Sequence, residues 1–205
     1  MTRRHILAAL GAASFARPCN AAETLIKAHA LKPGDTVGLI TPATYVSDPD
    51  RIALAERTMR FFNLKMQMGR NVRKRTGYVG GTPEERLADL HDMFRNPDIK
   101  AVFCIRGGYG SAHLLDAIDY DLIRRNPKIF LGYSDITSLH LAIHKKTGLV
   151  TFHGPVVLSR FTGYTQKYFK AALFETTPLG TLTNPPDSDP LRPSHTLRTD
   201  RKSVV

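Results

Sequence analysis

Three short segments combine reactive side chains with the glycines that give a backbone room to bind. Gly132-Tyr133-Ser134-Asp135 follows the apolar run Ile129–Leu131 and precedes a helical pattern. A serine on a tight strand-to-helix turn has its hydroxyl pushed into the open, and the amides after it point at any oxyanion formed there. The segment is not the hydrolase elbow G-x-S-x-G, because Ile136 stands where the last glycine should be. The plainer role is a helix cap, with Ser134 or Asp135 satisfying free amides. On this motif alone the cap is favoured. Arg106-Gly107-Gly108-Tyr109-Gly110 follows another apolar run. Its glycines permit positive φ and close approach of a ligand to bare amides. A dinucleotide loop would need glycine at position 113, where His113 stands, and no Gly-Lys-Ser/Thr follows to make a phosphate loop. An oxyanion or carboxylate site remains, against a merely flexible turn.

The histidines and cysteines narrow the chemistry further. His140 and His144 share a helix face, but Leu141 stands where a zinc-protease helix needs glutamate. His153 closes a strand at the same edge as Ser134 and is the in-chain candidate for a general base. The competing and favoured role for His153-Gly154-Pro155 is to fix the backbone after that strand. Cys104 lies in an apolar run and reads as a small buried hydrophobe. Neither a metal nor another cofactor is expected.

These residues need elements to hold them. Strand patterns occupy Val37–Thr41, Leu64–Met68, Ala101–Ile105, Ile129–Leu131 and Val150–Phe152. Helical spacing runs from Asp50 to Phe62, with Ile52, Leu54, Ala55, Met59 and Phe62 on or near one face. A second helix starts at Thr82-Pro83-Glu84-Glu85, with a capping threonine, proline at the first position and acids in the first turn, and ends before Asn96-Pro97. Others span about Asp135–Lys145 and Tyr164–Phe174. Alternating strands and helices, with near-continuous apolar strands, predict an α/β fold with a parallel sheet flanked by helices. Chemistry in such folds collects at the carboxyl ends of the strands, where all three motifs stand.

The chain has 205 residues, 42% hydrophobic and 23% charged, which excludes a wholly disordered protein. Its net charge is +11, but the basic residues are scattered apart from Arg70, Arg73, Lys74 and Arg75. No nucleic-acid-binding motif accompanies them, so the charge reads as a solubility and encounter term, with no nucleic-acid partner. No apolar run is long enough to insert in a membrane. Residues 1–22 read as an export signal: Arg3-Arg4 precede an apolar stretch and small residues, which suggests the twin-arginine route to the periplasm. A basic N-terminus on a cytoplasmic enzyme is the alternative. From Thr176 to Thr199, recurrent prolines make an interdomain linker. Asp200–Val205 is the translation of a common sequencing adapter, so the 3′ end of the gene is expected to be artefactual.

Together the motifs resemble one family. Arg106–Gly110, Pro127-Lys128 followed by Gly132–Thr137, and Thr147–Pro155 look like the LD-carboxypeptidases, serine peptidases of the S66 type. Pro33-Gly34-Asp35 and Gly80, Thr82, Glu85 and Arg86 match as well. The resemblance implies a flavodoxin-like or glutamine-amidotransferase-like N-terminal domain over residues 31–175, with Ser134 as nucleophile. It implies an oxyanion hole from the amides of Gly108 and Asp135, with Arg106 and Tyr109 lining the substrate end. The implied reaction releases terminal D-alanine from a murein tetrapeptide, in a homodimer. Family members carry the catalytic Glu and His in a C-terminal domain that this sequence does not include, and His195 matches neither. The chain as given is therefore expected to be inactive. A self-immunity peptidase cleaving a toxic peptide-nucleotide and a non-catalytic peptide-binding domain are the alternatives.

Overall fold

A computed structural model describes residues 25–183 and Pro185. The expected signal at 1–22, linker residues 184 and 186–199 with His195, and residues 200–205 lie outside the described residues. The chain divides into two compact units, one up to Arg160 and one from Phe161.

The first unit is built on five parallel strands: β1 (Thr36–Ile40), β2 (Lys65–Met68), β3 (Ile99–Cys104), β4 (Ile129–Gly132) and β5 (Phe152–His153). Their order is β2-β1-β3-β4-β5. The order reverses between β1 and β3, which is the switch point where open α/β sheets bind ligands. The flavodoxin-like expectation agrees with this order. β3 shows why its sequence had no alternation, since Ala101 to Cys104 are wholly buried. Val37, Leu39 and Ile40 of β1 are buried beside it. β5 is shorter and later than the apolar run suggested: Phe152 pairs with Leu131, while Leu149 bridges only to Ile26.

The helices are α1 (Pro49–Phe61), α2 (Pro83–Arg95), α3 (Tyr120–Arg125), α4 (Thr137–Thr147) and α5 (Gly163–Phe174). Helix α2 begins with a reciprocal capping box. The Thr82 hydroxyl accepts from the Glu85 amide at 3.3 Å, and the Glu85 carboxylate accepts from the Thr82 amide at 2.9 Å. Its face of Leu87, Leu90, Met93 and Phe94 enters the core formed with β3, β4 and α4. Buried Lys128 ties the end of α2 to the start of β4, donating to Met93 O at 2.8 Å and to Asn96 O. Burial pushes its ammonium down to about 8. Cys104 is fully buried, and burial raises its thiol pKa well out of the reactive range.

The second unit contains α5, capped by the Thr162 hydroxyl, which accepts from the Thr165 amide at 3.2 Å. Phe161 and Phe169 meet edge to face within it.

Candidate active site

The turn after β4 carries the first part of the site. Ser134 has φ +64°, and Asn63 is the other non-glycine with positive φ among the described residues. Asparagine tolerates that region, whereas a serine there costs roughly 1–2 kcal/mol. Such strain persists where the surroundings enforce it, commonly at functional sites. The conformation breaks the path from strand to helix. A 3-10 turn covers Ser134–Ile136 before α4 begins at Thr137. The Ser134 side chain is exposed and caps neither this turn nor α4. The helix-cap role, favoured on the motif alone, is therefore not what the hydroxyl does.

The turn after β3 lies directly against it. A Cβ placed on Gly107 would stand 3.2 Å from Tyr133 O and 3.4 Å from the Ser134 Cβ. The bare glycine lets the two turns meet. Gly108 has φ +118°, and a Cβ there would overlap the Thr44 hydroxyl. Thr44 comes from the loop after β1 and holds the glycine turn at two points. Its amide donates to Gly107 O at 3.4 Å, and its hydroxyl accepts from the Tyr109 amide at 3.1 Å.

Asp135 joins the same two turns from the other side. Its carboxylate accepts from the Ser111 amide at 2.9 Å, and its carbonyl accepts from the Ser111 hydroxyl at 2.6 Å. The side chain thus braces the glycine turn rather than its own helix.

A cavity of about 400 Å3 opens over these turns, lined by Arg106, Gly107, Gly108, Tyr133 and Ser134, with Arg51 and Leu54 from α1 on one wall. Val156, Leu158 and Ser159 complete it. The lining has two guanidinium groups and no carboxylate. Neither arginine is ion-paired among the described residues. An uncompensated pair of cations beside an exposed hydroxyl suits an anionic ligand.

The structure therefore brings Arg106, Gly108 and Ser134 to one cavity. Tyr109 and Asp135 do not line it. Tyr109 is 52% exposed and packs against Tyr78 and His113 outside it. His153 is also outside the lining, with its ring against Tyr133 and His140. The turn it begins does fix the backbone, since the Gly154 amide donates to Gly132 O at 3.0 Å. His140 is buried and reaches the same carbonyl through Nε2 at 2.9 Å, which makes Nε2 the protonated nitrogen. Burial, reinforced by the charge of His153 and opposed by that hydrogen bond, lowers its pKa.

Sequence reasoning missed Arg51 and Leu54. Leu54 was expected near the buried face of its helix, yet it is 41% exposed and faces the cavity. Its spacing, between buried Ile52 and Ala55, fits either face within the scatter of a 3.6-residue period.

Known proteins are similar to this chain. Residues 37–154 match the family model of the LD-carboxypeptidase N-terminal domain, peptidase S66. The chain is 50% identical over 131 residues to a probable murein peptide carboxypeptidase of Bacillus subtilis, covering 64% of this chain and 41% of that one. It is 38% identical over 131 residues to the microcin C7 self-immunity protein of Escherichia coli, covering 62% and 38%. The crystal structure of an MccF-like protein from Bacillus anthracis superposes with a TM-score of 0.69 at 35% identity, covering 73% and 47%. The chain thus spans less than half the length of the curated relatives it matches. The match covers β1 through β5, and so includes both turns that meet at Ser134: this chain belongs to the LD-carboxypeptidase family, peptidase S66.

Proposed function

We propose that this chain carries the nucleophile half of a serine L,D-carboxypeptidase acting on murein peptides, with Ser134 as nucleophile. The observation that carries the reading is the left-handed, uncapped Ser134 packed against the bare Gly107. In this reaction the Ser134 oxygen bonds to the carbonyl carbon of the terminal L,D peptide bond and loses its proton to a base. The carbonyl π electrons move onto oxygen, which the Gly108 and Asp135 amides stabilise. Collapse of the tetrahedral intermediate expels D-alanine, whose nitrogen takes up a proton. Water then cleaves the ester and restores the serine. Arg106 pairs with the terminal carboxylate, and Arg51 adds a second positive charge to the same cavity.

None of the lining residues is a His, Asp or Glu. The proton acceptor must come from elsewhere, and general-base assistance typically supplies about 10²–10⁴-fold. The test is a chimera in which the remaining C-terminal part of the Bacillus subtilis relative is joined at Thr176. It should release D-alanine from a murein tetrapeptide, and the 205-residue chain alone should not. Release from an aminoacyl-nucleotide analogue but not from the tetrapeptide would favour the self-immunity reading, which the relative of Escherichia coli supports. Peptide binding without hydrolysis by a folded chimera would favour the binding-domain reading.

We also propose export through the twin-arginine route, on the pattern of residues 1–22. A reporter fused behind this segment should reach the periplasm, and Arg3→Lys with Arg4→Lys should retain it in the cytoplasm. Cytoplasmic retention of the unaltered fusion would reject export altogether.

A further inference from the structure

Arg86, on the first turns of α2, is a charged residue in the interior. Only 2% of it is exposed, and it forms no ion pair among the described residues. Burying a guanidinium is costly unless its donors are met. Its Nη1 donates to Pro42 O and to Gly110 O, each at 2.8 Å, and its Nε approaches Thr82 O at 3.4 Å. Pro42 belongs to the loop after β1, and Gly110 closes the glycine turn after β3. These carbonyls lie 44 and 24 residues from Arg86 in sequence.

The charge also reaches the third strand end. Asp135, in the turn after β4, is the carboxylate whose attraction most offsets the cost of burying Arg86. That carboxylate holds the Ser111 amide, one residue beyond Gly110. The cation therefore bonds the loops after β1 and β3 and attracts the carboxylate in the turn after β4. No one of its bonds is needed to close α2, because Thr82 and Glu85 already cap that helix.

We propose that Arg86 is a positioning residue for the glycine-rich turn: its buried guanidinium, whose Nη1 donates to both Pro42 O and Gly110 O, sets where the Gly108 amide stands relative to Ser134. A lysine keeps the charge but lacks the rigid plane that aims Nη1 at both carbonyls while Nε faces Thr82 O. The inference rests on the hydrolase reading for the use made of the Gly108 amide. The placement of the turn is measurable without any turnover.

The experiment uses amide hydrogen exchange on the 205-residue chain, wild type against Arg86→Lys and Arg86→Gln. Exchange of the Tyr109 and Ser111 amides, which donate to the Thr44 hydroxyl and the Asp135 carboxylate, should rise at least tenfold in both variants. Exchange in β1, β3 and β4 should stay within about twofold of wild type. Unchanged exchange at the turn overturns the proposal, as does an equal rise across the strands. A wild-type measurement guards against variants that do not fold. The Arg86 guanidinium protons should exchange slowly with water and show cross-peaks to Gly110 and Ser111. Fast-exchanging signals without those cross-peaks, as for a surface arginine, also overturn it. If the turn is protected as expected but the chimera never releases D-alanine, the hydrolase reading fails and the tether stands.

Discussion

Two residues carry most of the chemistry in the proposed reaction, and each is held in a backbone region its type makes significant. Ser134 accepts a left-handed conformation that a serine avoids, while Gly108 occupies one that glycine alone adopts freely. Gly108→Ala adds strain at φ +118° and an overlap with Thr44. The φ strain alone is about 1–2 kcal/mol. Denaturant unfolding should show at least that loss. Thr44→Ala in the same chain should recover part of it, giving a coupling energy that independent sites lack. A Gly108→Ala protein as stable as wild type would mean that the turn is not held where the structure has it. Ser134 was legible as a candidate because the GYSD sequence falls between a strand and a helix. Its freedom from a capping role was not, since a serine at a helix start caps more often than it reacts. Arg51 was silent, and Arg86 was marked by the resemblance alone with no role attached. An arginine facing a cavity has the same sequence signal as one facing water, and no local pattern marks a cation that binds carbonyls 24 and 44 residues away.

The elements were largely legible because their signals are local. Thr82-Pro83 starts α2 through a cap and a fixed φ, and the unbroken apolar run of β3 shows burial on both faces. The 3-10 turn at Ser111–Ala117 and the six-residue α3 were missed. Neither is long enough to show a 3.6-residue period. The strand order is set by packing rather than by any local run, so only the family resemblance pointed to it. One element contact carries a pH dependence. Lys128 joins α2 to β4, and burial pushes its ammonium down to about 8 in the fold from an ordinary 10.5. Between those values the unfolded chain binds more protons than the folded one, so this residue makes stability rise with pH. From pH 7.5 to 10, the unfolding free energy of wild type should increase relative to that of Lys128→Met. A flat or falling difference would show that the two carbonyls hold the ammonium charged against its burial.

At the scale of the molecule, the first unit places three strand-end loops around one cavity at the switch point of a parallel sheet. The net charge of +11, read at first as a solubility and encounter term, has a local counterpart in two arginines of that cavity that form no ion pair among the described residues. A peptide bearing a terminal carboxylate is attracted to such a site and oriented by it. The buried core beneath the loops keeps them from relaxing, which is how a serine is kept in a strained turn. The most direct test of this account is to trap the covalent intermediate. The chimera described above is mixed with murein tetrapeptide, quenched in acid within the first turnover, digested and mapped by mass. The account predicts the acyl ester on the peptide containing Ser134, and its loss together with D-alanine release in Ser134→Ala. An ester on another residue, or D-alanine release at the unaltered rate in Ser134→Ala, would contradict it.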